Sequence, residues 1–251
     1  MKIIVKDDPL ELGKAAGHAA AQMIRRIINE KDRANIILAT GTSQFETLSQ
    51  LTKEDLDWSK VTMFHLDEYI GLPESSPASF RKYLKKRFIQ KIARLRDIFL
   101  INGEEDPVKE CLRLGEIIKK NPVDLALVGI GENGHLGFND PPADFETKEP
   151  FIVTELEVKC RNQQLGEGWF KTIDEVPLRA ITMSIHQIMK SGQVLCSVPD
   201  SRKAHAVQEC FENEVSNLFP ASILQTHPDC ICFLDKFSAS LLKKNTFERW
   251  L

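Results

Sequence analysis

Short, continuously apolar segments alternate with helical patterns along this chain of 251 residues. The clearest are Asn35 to Ala39, Val61 to Phe64, Leu125 to Val128, Gln193 to Val198 and Cys230 to Leu234. A run that is apolar at every position is typical of a strand buried on both faces, and strands separated by helices are joined in parallel. The sequence therefore predicts an α/β fold with a doubly wound, mostly parallel sheet and helices on both faces, a Rossmann-like three-layer sandwich.

The remaining elements follow from periodicity and from helix-start signals. Further strands are predicted at Ile3 to Val5, Ile98 to Ile101, Phe151 to Val158 and Arg179 to Ser184. Helices are predicted after Asp8-Pro9, from Phe45 to Leu51, over Ser76 to Ile92, after Asp106-Pro107 and from Asp200 to Phe211. No linker separates these pieces, so we expect one domain over residues 1–251.

A polar stretch around residues 143–170 differs from the rest of the chain. Its first part reads as a loop, and Arg161 to Phe170 contains two glycines and an amide cluster. Such a segment in an α/β fold is a candidate lid or a candidate substrate-facing segment.

Charge and cysteine usage exclude several classes of partner. The net charge of −3 provides no global attraction for nucleic acid or for an anionic membrane, so any bound anion must be captured locally. The six cysteines form no CxxC pair, which favours reduced core residues. Because the first residues are too acidic for a signal peptide and no apolar run approaches membrane-spanning length, we expect a cytoplasmic protein.

The turn after the second predicted strand, Thr40-Gly41-Thr42-Ser43, precedes a helix. Backbone amides at a helix start, a positive dipole end and hydroxyl donors are suited to binding a phosphate. The Gly-Lys-Ser/Thr ending of a P-loop is missing. A simple capped helix is an equally good interpretation of this turn alone.

Two further strand ends carry titratable groups. Asp67 and Glu68 follow the predicted strand at Val61, where ligands gather in parallel sheets, although a turn cap would use the same residues. After Leu125 to Val128, the glycine-rich segment to Pro142 contains Asn133, His135 and Asp140. This His could be a buried structural residue or a proton shuttle near neutral pH.

Four segments taken together resemble the glucosamine-6-phosphate deaminase/isomerase family, which shares its fold with the 6-phosphogluconolactonases. These segments are Thr40 to Ser43, Leu66 to Leu72, Gly129 to Pro141 and Ser201 to Lys203. Their order also matches, and the resemblance covers nearly all of the chain.

The resemblance implies an enzyme that deaminates and isomerises glucosamine 6-phosphate to fructose 6-phosphate and ammonia, through ring opening and an enediol-like intermediate. No metal or organic cofactor is implied. Asp67 would be the base that moves a proton between C2 and C1, and His135 would assist ring opening. Asp140 would replace a glutamate that contacts this histidine. Gly41, Thr42, Ser43 and Lys203 would hold the phosphate.

Several positions depart from the family pattern. Asn133 stands where the family usually has an aspartate, and we expect it to orient His135 by hydrogen bonding without stabilising an imidazolium. Arg161 is near the family's phosphate-binding arginine, but the spacing differs. Arg161, Glu68 and Gly134 are therefore only candidates to face the substrate. The basic residues of the allosteric effector site are not found, and a homo-oligomer is among the assemblies known in the family.

Two other functions stay open. A lactonase acting on a phosphorylated aldonolactone would use His135 as the base that activates water. A non-catalytic sugar-phosphate sensor would keep the fold, although no helix-turn-helix segment precedes Ile3. In every case the expected partner is a small phosphorylated sugar, without nucleic acid or membrane.

Overall fold

The protein is represented by a computed structural model that describes residues 1–249. Its strands are β1 (Lys2–Lys6), β2 (Ala34–Leu38), β3 (Val61–His65), β4 (Asp67–Tyr69), β5 (Asp97–Phe99), β6 (Leu125–Val128), β7 (Phe151–Glu155), β8 (Arg179–Met183), β9 (Gln193–Val198) and β10 (Cys230–Asp235). Its helices are α1 (Pro9–Lys31), α2 (Phe45–Leu51), α3 (Phe80–Arg87), α4 (Pro107–Lys120), α5 (Val158–Gly166), α6 (Ile185–Met189), α7 (Ala204–Glu212) and α8 (Lys244–Arg249).

Seven strands form one sheet in the order β1-β10-β9-β6-β2-β3-β5, and every neighbouring pair is parallel. Alternate residues of one strand belong to different cores. Ile36 and Leu38 pack in the core that contains α1 and α2, whereas Ile37 packs in the opposite core with residues of α4 and α7. The continuous apolar runs therefore have the cause that the sequence indicated, and the predicted doubly wound fold is confirmed.

The order in which the chain adds strands to the sheet changes side between β2 and β6. From β2 the chain continues to β3 on one side, and from β6 it later continues to β9 on the other side. A reversal of this kind leaves a crevice at the carboxyl ends of the two central strands. The turn at Gly41 and the glycine-rich segment at His135 both begin there.

A second, antiparallel sheet of three strands was not predicted. Its order is β4-β8-β7, and Asp67 pairs with Thr182. The predicted strands at Phe151 and Arg179 belong to this small sheet and not to the large one. It matters for function because it holds Asp67 beside the crevice.

Three predicted segments have different boundaries in the structure. The predicted helix from Ser76 to Ile92 is wrong in length, because α3 begins only after Ser79, whose hydroxyl accepts the Lys82 amide, and ends at Arg87. The strand predicted from Phe151 to Val158 ends at Glu155, since Val158 already begins α5. The segment from Arg161, for which no secondary structure was predicted, is helical through Gly166. Whether residues 143–170 act as a lid stays a prediction.

Membrane-spanning character can be assessed from the helices. Among residues 1–249, no helix combines the length and the apolar composition needed to cross a bilayer.

Two glycines of α1 allow the close approach of α2, the helix that follows the Gly41 turn. A Cβ on Gly13 would lie 2.1 Å from the Cβ of Glu46, and a Cβ on Gly17 would lie 2.6 Å from that of Gln50. Gly115 in α4 differs, because its nearest neighbour would be Pro150 Cδ at an ordinary 3.7 Å.

We expect Gly13→Ala to destabilise the protein by about 1–3 kcal/mol, because α1 and α2 must move apart to admit the methyl group. Gly115→Ala is the matched control and should be neutral or stabilising by up to about 1 kcal/mol, because alanine favours the helix. Urea unfolding of both variants measures the difference. Equal destabilisation by the two substitutions would contradict the proposed role of close packing.

Candidate active site

One cavity lies at the crevice between the carboxyl ends of β2 and β6. Its lining combines residues that follow β2, β3 and β6 with residues of α5 and the turn before α7. Five residues singled out from the sequence meet there, namely Gly41, Ser43, Asp67, His135 and Lys203. Thr42 and Asp140 adjoin the cavity through their contacts with Glu167 and His135, which line it.

Asp67 is the carboxylate that this cavity isolates most. Its residue is only 6% exposed, and within residues 1–249 its side chain accepts no hydrogen bond. Burial raises the pKa of Asp67 to about 8, with a further contribution from the neighbouring charge of Glu68. A carboxylate with this pKa can exchange a proton near neutral pH.

Glu68, the adjacent residue, points away from the cavity and into a set of donors. Its carboxylate accepts hydrogen bonds from the backbone amides of Tyr69, Phe80 and Arg81 and from the Ser79 hydroxyl. The Arg81 guanidinium lies 3.4 Å from the same carboxylate. The structure therefore places Glu68 as the cap of α3 and does not bring it to the cavity.

His135 is held in place by a glycine and an acid. The imidazole packs on the Gly131 backbone so closely that a Cβ at position 131 would lie 2.2 Å from His135 Cε1. On the other side, His135 Nδ1 lies 3.2 Å from Asp140 Oδ1. The two atoms are close but do not form an aligned hydrogen bond, since Nδ1 lacks a partner with hydrogen-bond geometry.

Asp140 is buried and well satisfied. Burial by itself would raise the pKa of Asp140, but the contact with His135, the Glu157 amide at 2.8 Å and the Asn133 side chain at 3.1 Å hold that pKa below its usual value. Asp140 therefore stays ionised beside the imidazole.

Asn133 is hydrogen-bonded to the backbone of His135, and its role in orienting the imidazole stays a prediction. Its Oδ1 accepts the backbone amide of His135 at 3.2 Å. Its Nδ2 donates to Asp140 Oδ1 at 3.1 Å and to Glu157 Oε2 at 2.7 Å. The amide thus bridges two carboxylates, one of which is Asp140, the residue beside the imidazole.

A thiol lies next to this pair. Ligand atoms of His135, Asp140 and Cys160 all fall within 4.8 Å of one another, a separation that a metal site could use. Burial raises the pKa of the Cys160 thiol well above its ordinary value, and the charge of Asp140 acts in the same direction. A protonated thiol is a poor metal ligand, and the expectation that no metal is needed stays a prediction.

The turn after β2 is held in one conformation by contacts with its neighbours. Gly41 has a φ of +90°, and its carbonyl accepts the Tyr83 hydroxyl at 3.0 Å. Gln44 fixes the end of the turn by donating to the carbonyls of Val128 and Ser197 at 3.4 and 3.3 Å. The turn is thus fixed by its neighbours, and its Thr42 amide donates to Glu167, which lines the cavity.

Lys203 is the cation of this end of the cavity. Its residue is 3% exposed, and burial lowers the pKa of its ammonium group, while the charges of Glu167 and Glu132 oppose that effect. Arg202 lies nearby but is paired with Asp200 at 3.0 Å and with Glu132 at 3.3 Å.

Two further candidates lie outside the lining. Arg161 donates to the backbone carbonyls of Ile173 and Val176 at 2.5 and 3.0 Å, and it is absent from the cavity lining. Gly134, with a φ of +83°, forms the turn before His135 and packs on Phe219. The structure does not bring either residue to the cavity.

Sequence reasoning missed three lining residues from one segment, Gln163, Gln164 and Glu167. Gln163 accepts the Glu132 amide at 2.8 Å, and Gln164 accepts the buried Tyr69 hydroxyl at 2.9 Å. The amide cluster of this segment was the available signal, although its helical conformation was not visible.

Comparisons with known proteins agree with the geometry. The model of the family "Glucosamine-6-phosphate isomerases/6-phosphogluconolactonase" matches residues 7–232. A glucosamine-6-phosphate deaminase of Bacillus cereus (strain B4264) is 36% identical over 242 residues, which is 96% of this chain and 89% of that protein. One from Bacillus thuringiensis (strain Al Hakam) is 35% identical over the same length and shares of the two chains.

Solved structures give the same result. A monomeric glucosamine-6-phosphate deaminase superposes with a TM-score of 0.87 at 34% identity, covering 96% of this chain and all (100%) of that chain. A 6-phosphogluconolactonase from Thermotoga maritima superposes with a TM-score of 0.78 at 16% identity, covering 94% and 99% of the two chains. The second likeness concerns the fold alone.

The buried Asp67 should make stability depend on pH. The pKa of Asp67 is raised from 3.8 to about 8 in the folded protein, so ionisation of this group lowers the free energy of unfolding. This destabilisation is absent below pH 3.8, grows between pH 3.8 and about pH 8, and is constant above that pH. We therefore expect Asp67→Asn to stabilise the protein increasingly between these two limits, as measured by thermal unfolding at several pH values.

Glu68→Gln is the matched control for that experiment. It removes an acceptor from several donors of α3, so it should lower the unfolding temperature at neutral pH. A stability difference between Asp67→Asn and the wild type that does not change with pH would contradict the raised pKa.

Proposed function

The chain belongs to the family of glucosamine-6-phosphate isomerases and 6-phosphogluconolactonases, and from this membership we propose that it is an enzyme converting glucosamine 6-phosphate and water to fructose 6-phosphate and ammonia. One observation carries the proposal. The same cavity brings together Asp67, the His135–Asp140 pair, the turn at Gly41 and the buried Lys203.

Asp67 acts as the base of the isomerisation. In the open-chain sugar it takes the proton from C2 and returns it to C1, while the C1 oxygen gains a proton and the nitrogen loses one. The aldehyde thereby becomes a hydroxymethyl group and the C2 amine becomes an imine, which water then hydrolyses to the ketone and ammonia. A base for this step must be rigidly mounted and must have a pKa near the working pH. The pairing of β4 with β8 supplies the mounting, and burial supplies the raised pKa.

His135 opens the sugar ring. This step moves a proton from the C1 hydroxyl to the ring oxygen, which an imidazole can do near neutral pH. Asp140 lies beside the imidazole, and Asn133 holds Asp140 by a hydrogen bond. Gly131 leaves room for the ring to lie against the backbone.

The amides of Gly41, Thr42 and Ser43 hold the phosphate with the Lys203 ammonium. Amides of a turn before a helix donate directed hydrogen bonds to phosphate oxygens, and one buried cation supplies positive charge to the phosphate. Arg161 takes no part in this role, because carbonyl groups of its own segment engage its guanidinium.

Lactone hydrolysis is the second activity within the family. It would need His135 as the base for water but would give Asp67 no proton to move between carbon atoms. The position of Asp67 in the cavity therefore favours deamination. Hydrolysis of a phosphorylated aldonolactone without release of ammonia from the amino sugar would reverse this choice.

The setting of the reaction is also part of the proposal. All six cysteines are free, which supports a reducing compartment and thus the cytoplasm. The substrate is the only partner proposed; one solved relative is a monomer, and a homo-oligomer stays a prediction for this chain.

Asp67→Asn should lower kcat for ammonia release by about 10²–10⁴-fold, because the amide cannot accept the C2 proton. In the wild type, kcat/KM should rise about tenfold per pH unit below a pKa of about 8 and level off above it, since the free enzyme must ionise Asp67. A coupled ammonia assay between pH 6 and 9 measures both. A flat profile over that range would exclude Asp67 as the base.

Asn133→Asp should lower kcat by about tenfold or more, because it replaces a donor to two carboxylates with a third negative charge. The double variant Asn133→Asp/Glu157→Gln removes one of those charges and should recover part of the rate. Asn213→Asp is the control, since that exposed amide donates to Glu209 far from the cavity. A faster Asn133→Asp enzyme would contradict the bridging role.

A further inference from the structure

A carboxylate of the protein itself occupies the turn assigned to the phosphate. Glu167 Oε2 accepts the Thr42 amide at 3.4 Å and the Trp169 indole N–H at 3.1 Å. Its Oε1 accepts the Gln163 amide at 2.9 Å. The same Oε2 is the nearest atom, at 3.8 Å, to the position of a Cβ on Gly41.

The negative charge of Glu167 acts on the positive charge of Lys203. Glu167 is the first of the charged groups that favour the ammonium form of buried Lys203. A phosphate on the Thr42 amide and Lys203 would need the same donors and would meet like charge, so the two anions exclude each other. The phosphate site in the unliganded protein is therefore already neutralised from within.

Among residues 1–249, no side chain packs against the two residues that flank Glu167. Glu167 stands between Gly166 and Gly168, and a Cβ on either glycine would have no neighbour within 4 Å. Gly168 has a φ of +81°, a conformation that favours glycine. These are the two glycines of the polar segment, and they border the end of α5.

We propose that Glu167 is an internal competitor for the phosphate site, displaced when the phosphate of the substrate binds, and that it sets the affinity and selectivity for phosphorylated sugars. The identity of the sugar rests on the proposed function, whereas the competition itself concerns any phosphate. Phosphate can bind only to the fraction of the protein in which Glu167 has left the site. The apparent affinity for phosphate is therefore the intrinsic affinity multiplied by that fraction. A neutral sugar gains nothing by displacing the carboxylate.

Glu167→Gln keeps the shape and the acceptor oxygen but removes the charge. We expect the Kd for inorganic phosphate and the KM for glucosamine 6-phosphate each to fall about tenfold, equivalent to about 1.4 kcal/mol, with a smaller change in kcat. Glu175→Gln, an exposed glutamate of the following turn that accepts the Lys171 amide, is the matched control and should change neither. Unchanged or weaker phosphate binding by Glu167→Gln would overturn the proposal.

Trp169 offers a readout that does not depend on turnover. Its indole N–H loses the Glu167 oxygen when the carboxylate leaves, so phosphate should change the tryptophan emission of the wild type, and Trp169→Phe should abolish that change. Calorimetry with inorganic phosphate gives the affinity independently. An emission that stays constant at saturating phosphate, or the absence of phosphate binding in both the wild type and Glu167→Gln, would overturn the displacement.

The two proposals fail in different ways. If phosphate displaces Glu167 but no ammonia is released from any amino-sugar phosphate, the deaminase function fails and the competitor stands. If ammonia is released while Glu167→Gln binds phosphate like the wild type, the competitor fails alone.

Discussion

The pairing of β2 with β6 is the constraint on which the site depends. These strands are hydrogen-bonded neighbours, and the Ala39 amide extends the ladder by donating to Leu127 O at 3.0 Å. Because the chain leaves them on opposite sides of the sheet, the two following loops face each other across a crevice. Gln44 then ties the first loop to the ends of β6 and β9. The anion turn and the His135 loop are held together by the sheet and by one buried amide.

Asp67 and Glu68 show how neighbouring carboxylates acquire different chemistry. The side chains alternate across β4, so one enters the cavity and the other enters the amino end of α3. Burial raises the pKa of both, but hydrogen bonds from Arg81, Tyr69 and Phe80 oppose that effect only at Glu68. The satisfied acid therefore stabilises the local fold, and the unsatisfied acid is free to exchange a proton.

Structure that depends on local sequence patterns could be predicted, whereas structure that depends on contacts between distant residues could not. The parallel sheet was predictable because strands buried on both faces consist of continuous apolar runs such as Leu125 to Val128. Asp67, His135 and Lys203 could be expected to meet because each follows a strand at the same edge. In contrast, β4 has three residues and exists through its pairing with distant β8, and α5 is a helix that no apolar periodicity announced. Glu167 could not be placed without that helix.

The charges along the cavity argue for a zwitterionic substrate. Asp67 lines the cavity and Asp140 adjoins it through His135, while Lys203 and the turn at Gly41 also line it. An amino-sugar phosphate carries an ammonium group and a phosphate, so it can complement both kinds of charge, and its ammonium would favour ionised Asp67 on binding. A phosphorylated lactone has no cation for the carboxylates, and a buried carboxylate would repel the developing negative charge of lactone hydrolysis. The isolation of Asp67 is thus costly to the fold and useful only when a cationic substrate arrives.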